Sequence, residues 1–232
     1  MNESLQTVYG GSSIISAEQR NRVLRNTYWL LALSLVPTVF GAWIGVSTGI
    51  FARMGMGLSL LVFLGGAFGF IFAIHKTKDS AAGVGVLLGF TFFMGLMLSQ
   101  LLGAVLGTYK NGASLIITAF GGTAGVFFAV ASLSTIIKRD LSGMGKFLTV
   151  GIVALIVVSL LNMFFLHSSA LMLTMSVAAV ALFAAYLLYD IKQVIDGGET
   201  NYITATLQIY LDLINIFQNL LVLLGALSSE RE

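Results

Sequence analysis

The chain has 232 residues, 57% of them hydrophobic and 9% charged, with a formal net charge of +2 and a mean hydropathy of +0.96. A soluble domain carries about 25% charged residues, so this composition excludes a water-soluble globule and places the chain in a membrane. The absence of cysteine excludes disulfides, thiolate metal sites and a cysteine nucleophile.

Residues 1–27, "MNESLQTVYGGSSIISAEQRNRVLRNT", are mostly polar and lack the apolar core of a cleavable signal peptide. They read as a cytoplasmic tail on a protein inserted through its own first span. A helix crossing the bilayer needs about 20 mostly apolar residues, and seven segments qualify: 28–51, 57–74, 81–107, 113–137, 147–166, 170–195 and 203–227. The separators, such as "HKTKDS" and "DGGETNY", are brief and polar, so 28–227 reads as one all-α transmembrane domain, with 228–232 a short C-terminal tail. Pro37, the single proline, is expected to kink span one. Several of the 26 glycines fall four apart: Gly41/Gly45/Gly49, Gly65/Gly69, Gly85/Gly89, Gly103/Gly107 and Gly121/Gly125. Small residues at that spacing let helix backbones approach closely in lipid, which predicts tight packing within one bundle, with a dimer interface as the alternative.

Cytoplasmic loops are rich in Lys and Arg. Arg20, Arg22, Arg25, Lys76, Lys78, Lys138, Arg139, Lys146 and Lys192 fall on the N-terminal side, and Arg53, Lys110 and Arg231 on the other. Nine against three predicts a cytoplasmic N-terminus, and seven spans then put the C-terminus outside.

Against this apolar background Asp190 and Asp212 stand inside spans six and seven. An ionised Asp at a helix centre costs roughly 2.5–3.5 kcal/mol on translocon scales, and such residues mark partners, pathways or proton relays. The two spans form a hairpin whose midpoint falls at Asn201 in the polar turn, so similar depth in the cytoplasmic half is expected. Gln208, Asp212, Asn215 and Asn219 share one face of span seven, as do Tyr186, Asp190 and Gln193 on span six. Two facing polar stripes can hold water, and Gln100 and Asn162 are candidates to join them. The bland alternative is a protonated Asp that glues helices by hydrogen bonding. Two neighbouring carboxylates in a poorly solvated site instead share a proton and titrate as a pair. Oxygen ligands suit Ca2+, but two acids are too few for a tight cage; weak binding is what conduction requires.

An enzyme is not expected. "YD" at Tyr189-Asp190 matches the first half of the intramembrane aspartyl protease pattern, whose chemistry needs two carboxylates sharing a proton. The second half fails, because "IYLD" replaces Gly-x-Gly-Asp and no Pro-Ala-Leu exists. His75 and His167 lie at span ends on opposite sides, and no Gly-x-Ser-x-Gly occurs, which argues against a Ser–His mechanism. The nine methionines read as packing or lipid contact, so no cofactor and no stable metal site is expected.

The stretch "TAFGGTAGVFFAVASLSTIIKRDLSGMGKFLTVGIVALIVVSLLNMFF", followed by "LYDIKQVI" and "IYLDLINIFQNLLVLLG", resembles the Bax inhibitor-1, or transmembrane Bax inhibitor motif, family from about Leu24 to Ser229. "VLRNTYWLLALSL" and "GGETNYITAT" are similar to its bacterial YccA-like branch. The resemblance implies six helices around a central hydrophobic one, residence in the bacterial inner membrane, and a pH-sensitive Ca2+ leak in which Asp190 and Asp212 are the paired acids that govern opening. Ca2+ is then a transported ion, not a cofactor. The resemblance also implies a basic residue near the cytoplasmic end of span two that latches the pair, a place open here to His75, Lys76 or Lys78. Where many relatives have Gly-Pro in span three, this chain has "MLSQLLG", a departure that bears on that span's shape. The YccA-like branch further implies association with, and modulation of, the membrane protease FtsH, with the N-terminal tail and the bundle as the expected contacts. Some members of that branch lack the acid pair, so modulation does not in general depend on it.

Overall fold

The computed structural model describes residues 16–51 and 53–229. It contains α1 (Ala17–Thr48), α2 (Met56–Thr77), α3 (Ala81–Thr108), α4 (Gly112–Ile136), α5 (Met144–Leu161), α6 (Ser169–Asp196) and α7 (Tyr202–Ser229). All seven are long and apolar enough to cross a membrane, and no strand occurs among the described residues. The protein is an all-α, seven-helix membrane bundle.

The first helix begins well before the apolar segment that starts at residue 28. Ser16 accepts a hydrogen bond from the Gln19 amide at 3.2 Å and Glu18 lies in the first turn, a polar helix start that favours the helix dipole. Residues 17–27 are therefore helical; at 1.5 Å per residue α1 reaches about 48 Å, against roughly 30 Å of hydrocarbon, so its polar turns stand clear of the bilayer. Residues 1–15 of the expected tail, and 230–232 at the other terminus, lie outside the described residues. Pro37 sits inside α1 without ending it. After α5 the chain makes one π-helical turn, Asn162–Leu166, and reverses at His167 with φ 48°.

The α7 helix is central: it packs against α1, α2, α3, α4 and α6. Its membrane-spanning part is the most buried of the seven and that of α5, which packs chiefly on α6, the least. The central helix is nonetheless less apolar than α5, because a helix facing lipid must be apolar while a buried one can carry polar groups that find partners. One such partner is Tyr210, whose hydroxyl lies 2.9 Å from Thr38 Oγ1 on α1.

The glycine pattern serves the α1–α3 interface. A Cβ on Gly41 would run into the Phe92 carbonyl, one on Gly95 into the Thr38 carbonyl, and one on Gly45 into the Ser99 side chain. Glycine at these points lets two backbones touch. By contrast Gly65, Gly69, Gly85, Gly103, Gly107, Gly121 and Gly125 would meet nothing within 4 Å, and Gly89 only the Phe70 ring at 3.3 Å. A four-residue spacing aligns glycines on one helix face but does not say whether another helix covers that face.

The N-terminus of α1 and the α2–α3, α4–α5 and α6–α7 connections share one end of the bundle, here the basic end. Asn201 ties two of them together. Its Oδ1 accepts from the amides of Ile203 at 2.9 Å and Thr204 at 3.3 Å, capping α7, while its Nδ2 donates to the Lys78 carbonyl and to Asp79 Oδ1, each at 2.9 Å. Asn201→Ala is expected to cost about 1 kcal/mol for the cap alone and about as much again for the lost bridge, read as a lowered unfolding temperature in detergent.

Gln100 and Asn162 belong to the opposite end. Gln100 Nε2 donates to the Phe51 carbonyl at 2.9 Å and to Ser59 Oγ at 2.8 Å. Asn162 closes the α5–α6 reversal, with Nδ2 donating to the Ser168 carbonyl at 3.1 Å and Oδ1 accepting from the Ser168 amide at 2.9 Å. Neither joins the acids.

Candidate functional site

Asp190 lies about two turns before the end of α6, and Asp212 almost three turns after the start of α7. The difference in depth is closed by side-chain direction. In a helix each Cβ leans toward the N-terminus, so Asp190 leans deeper into the bundle and Asp212 leans back toward the α6–α7 turn. The two carboxyl groups are close enough to act on each other and are 7% and 4% exposed. Ionised carboxylates only accept hydrogen bonds, so a bond between the two requires a proton held between them. Asp212 Oδ2 is buried without a hydrogen-bond partner among the described residues. Neither acid faces lipid.

The flanking stripes divide. Tyr186 and Gln208 stay with the acids, around a crevice reaching Asp190, and the Tyr186 hydroxyl lies 2.9 Å from Thr149 Oγ1 on α5. Gln193 belongs to the turn instead: its carbonyl accepts from the amides of Gly198 at 2.8 Å and Glu199 at 3.1 Å, and its side chain lies against Gly198. Asn215 and Asn219 lie on the expected face, but each Nδ2 donates at 2.8 Å to the carbonyl four residues earlier, Leu211 and Asn215 respectively.

The three basic candidates at the end of α2 are not brought to the acids. His75 Nδ1 lies 2.9 Å from the Ile71 carbonyl of its own helix, His75 and Lys76 are exposed, and Lys78 contributes its carbonyl to Asn201. Among the described residues no ion pair joins any of them to Asp190 or Asp212; Lys192 and Asp196, one turn apart on α6, form the ion pair seen there, at 2.8 Å.

Sequence reasoning missed the contribution of α5. A crevice of about 430 Å³ lies between α5 and the α6–α7 hairpin, lined by Lys146 and Thr149 of α5, Tyr186, Tyr189 and Asp190 of α6, and Gln208 of α7, with Ser142 at its loop end. Gly145 makes the fit possible: a Cβ there would stand 2.8 Å from the Tyr189 hydroxyl. The signal in the sequence was Lys146 and Thr149, three apart on an otherwise apolar helix. In the adjoining loop the Ser142 amide and hydroxyl donate to Asp140 at 2.8 and 2.9 Å. These bonds hold the Asp140 carboxyl below its ordinary value of 3.8. The turn is thus fully stabilised above that value and loses the contribution as pH falls through the lowered one.

Seven helices long and apolar enough to span a membrane, packed about two buried, neighbouring acids, define an integral membrane protein with an ionisable pair in its interior. The chain belongs to the Bax inhibitor-1 family: residues 20–229 match the family model described as inhibitor of apoptosis-promoting Bax1. It is 34% identical over 232 residues to the modulator of FtsH protease YccA of Escherichia coli K12, covering 99% of this chain and 100% of that one. It is 37% identical to an uncharacterized protein of Pseudomonas aeruginosa, covering 90% and 92% of the two chains. To an uncharacterized membrane protein of Vibrio cholerae it is 34% identical, covering 94% and 95%.

Proposed function

We propose that the chain forms a pH-sensitive Ca2+ leak pathway, gated by the Asp190/Asp212 pair, in a bacterial inner membrane with its basic end in the cytoplasm. The observation that carries this reading is the convergence of the two carboxyls, both buried and close enough to act on each other. With a proton between them the pair is a closed clasp joining α6 to α7. Without it, two like charges in a poorly solvated site repel each other and attract a hard cation. Ca2+ takes six to eight oxygens; two carboxylates and water supply an incomplete shell, which lets the ion leave again. Nine basic residues against three across the two ends support the orientation. The test is Ca2+ flux across pH into liposomes holding the purified protein. A flux whose pH profile survives both Asp190→Asn and Asp212→Asn ends the gate reading.

The similarity to a relative named as a modulator of FtsH protease favours a second, compatible reading: direct association with FtsH, with residues 1–20 as the contact. Co-purification from native membranes that is lost on deleting those residues supports it, and no association there defeats it.

A further inference from the structure

We infer that the crevice between α5 and the α6–α7 hairpin is the aqueous path to Asp190, and that Lys146 at its mouth sets which sign of ion enters. Asp212 does not line the crevice and is 4% exposed, whereas Asp190 does line it. Asp190 is therefore the outer member of the pair and Asp212 the inner one. About 430 Å³ holds on the order of ten water molecules at about 30 Å³ each. The walls supply what water needs, since Thr149, Tyr186 and Gln208 bring hydroxyl and amide groups to the crevice while Ser142 opens it toward the loop.

Among the described residues, Lys146 and Asp190 are the two formally charged side chains that line this path. Lys146 is exposed and makes no ion pair or hydrogen bond among the described residues, so its ammonium is not neutralised before it meets an entering ion. It precedes Asp190 from the loop side, because it lies in the first turn of α5 while Asp190 lies about two turns inside α6. A cation entering from the loop side meets the ammonium before the carboxylate, and a divalent cation meets twice the repulsion of a monovalent one. The α5 wall is the least buried helix of the bundle, so widening the crevice there disturbs little packing.

This inference deepens the acid-pair reading by naming the regulation of that site, yet the path can be tested without any flux measurement. The chain lacks cysteine, so a single Gln208→Cys in membrane vesicles gives one thiol to follow. Methanethiosulfonate reagents that cannot cross lipid, one cationic and one anionic, are the probes; Val153→Cys, on the exposed apolar face of α5, is the lipid-facing control. Cys at 208 should react with both reagents many times faster than Cys at 153. Adding Lys146→Glu should then raise the cationic-to-anionic rate ratio several-fold, with Lys146→Gln in between. Thr149→Cys provides a second reporter if the first variant does not fold. Thiols unreactive to the aqueous reagents but open to a lipid-permeant maleimide would make the crevice a lipid groove and overturn the path. A ratio unmoved by Lys146 would overturn the selectivity. Labelling as expected in a protein that passes no Ca2+ would leave the path standing and end the leak reading instead.

Discussion

Asp212→Asn is expected to raise the unfolding temperature of the protein in detergent while lowering its Ca2+ flux. The wild-type carboxyl is 4% exposed and its Oδ2 finds no partner among the described residues. A buried acceptor without a donor costs about 1–3 kcal/mol. An asparagine of the same shape carries no charge, and its amide can donate to the Asp190 carboxylate without needing a shared proton. For a chain of this size about 1 kcal/mol moves the transition by roughly 2–4 °C, so a rise of several degrees should be visible. The same change removes one of the two charges that attract the ion and the proton that closes the pair. If about 1.4 kcal/mol of cation attraction goes with it, flux falls about tenfold, and its dependence on pH flattens. A variant that unfolds earlier and leaks as before would show Asp212 to be structural.

The largest loss of stability is expected from Gly95→Val. The new Cβ would collide with the Thr38 carbonyl and come within 3.0 Å of the Ala42 amide nitrogen, both backbone atoms of α1. Overpacking costs typically 1–3 kcal/mol when side chains can shift. Here a whole helix must move, so the loss should reach or exceed about 3 kcal/mol and separate the most closely packed pair in the bundle. Gly103→Val on the same helix meets nothing within 4 Å and should stay within about 0.5 kcal/mol of wild type. Comparing the two by thermal unfolding in detergent checks that the close approach, and not glycine content as such, holds α1 to α3. Equal effects would refute it.

The seven helices were legible because each must be apolar over about 20 residues; the polar first turns of α1 and the polar ends of α2 and α5 escaped, since a helix in water is set by its cap and charges instead. The meeting of Asp190 and Asp212 was legible too, because a hairpin pivoting near Asn201 fixes both depths. Helical phase took the reading no further. It put Asn215 and Asn219 on the right face of α7 but could not show that each bonds its own backbone. It left Gln100 and Asn162 free to join the acids when both serve the opposite end. The α5 wall of the crevice was invisible for the same reason: rotation of one helix against another is decided by packing, and Gly145 reveals its purpose only with Tyr189 against it.

Asn201 has a mechanical consequence. One side chain grips both the first turn of α7 and the connection between α2 and α3, so axial motion of α7 cannot stay private to the helix that carries Asp212. A slide of about one residue's rise, 1.5 Å, would either stretch these bonds beyond use or tow the neighbouring connection along. Such a slide would be carried through the amide from the bundle's axis to its rim, beside the basic residues His75, Lys76 and Lys78.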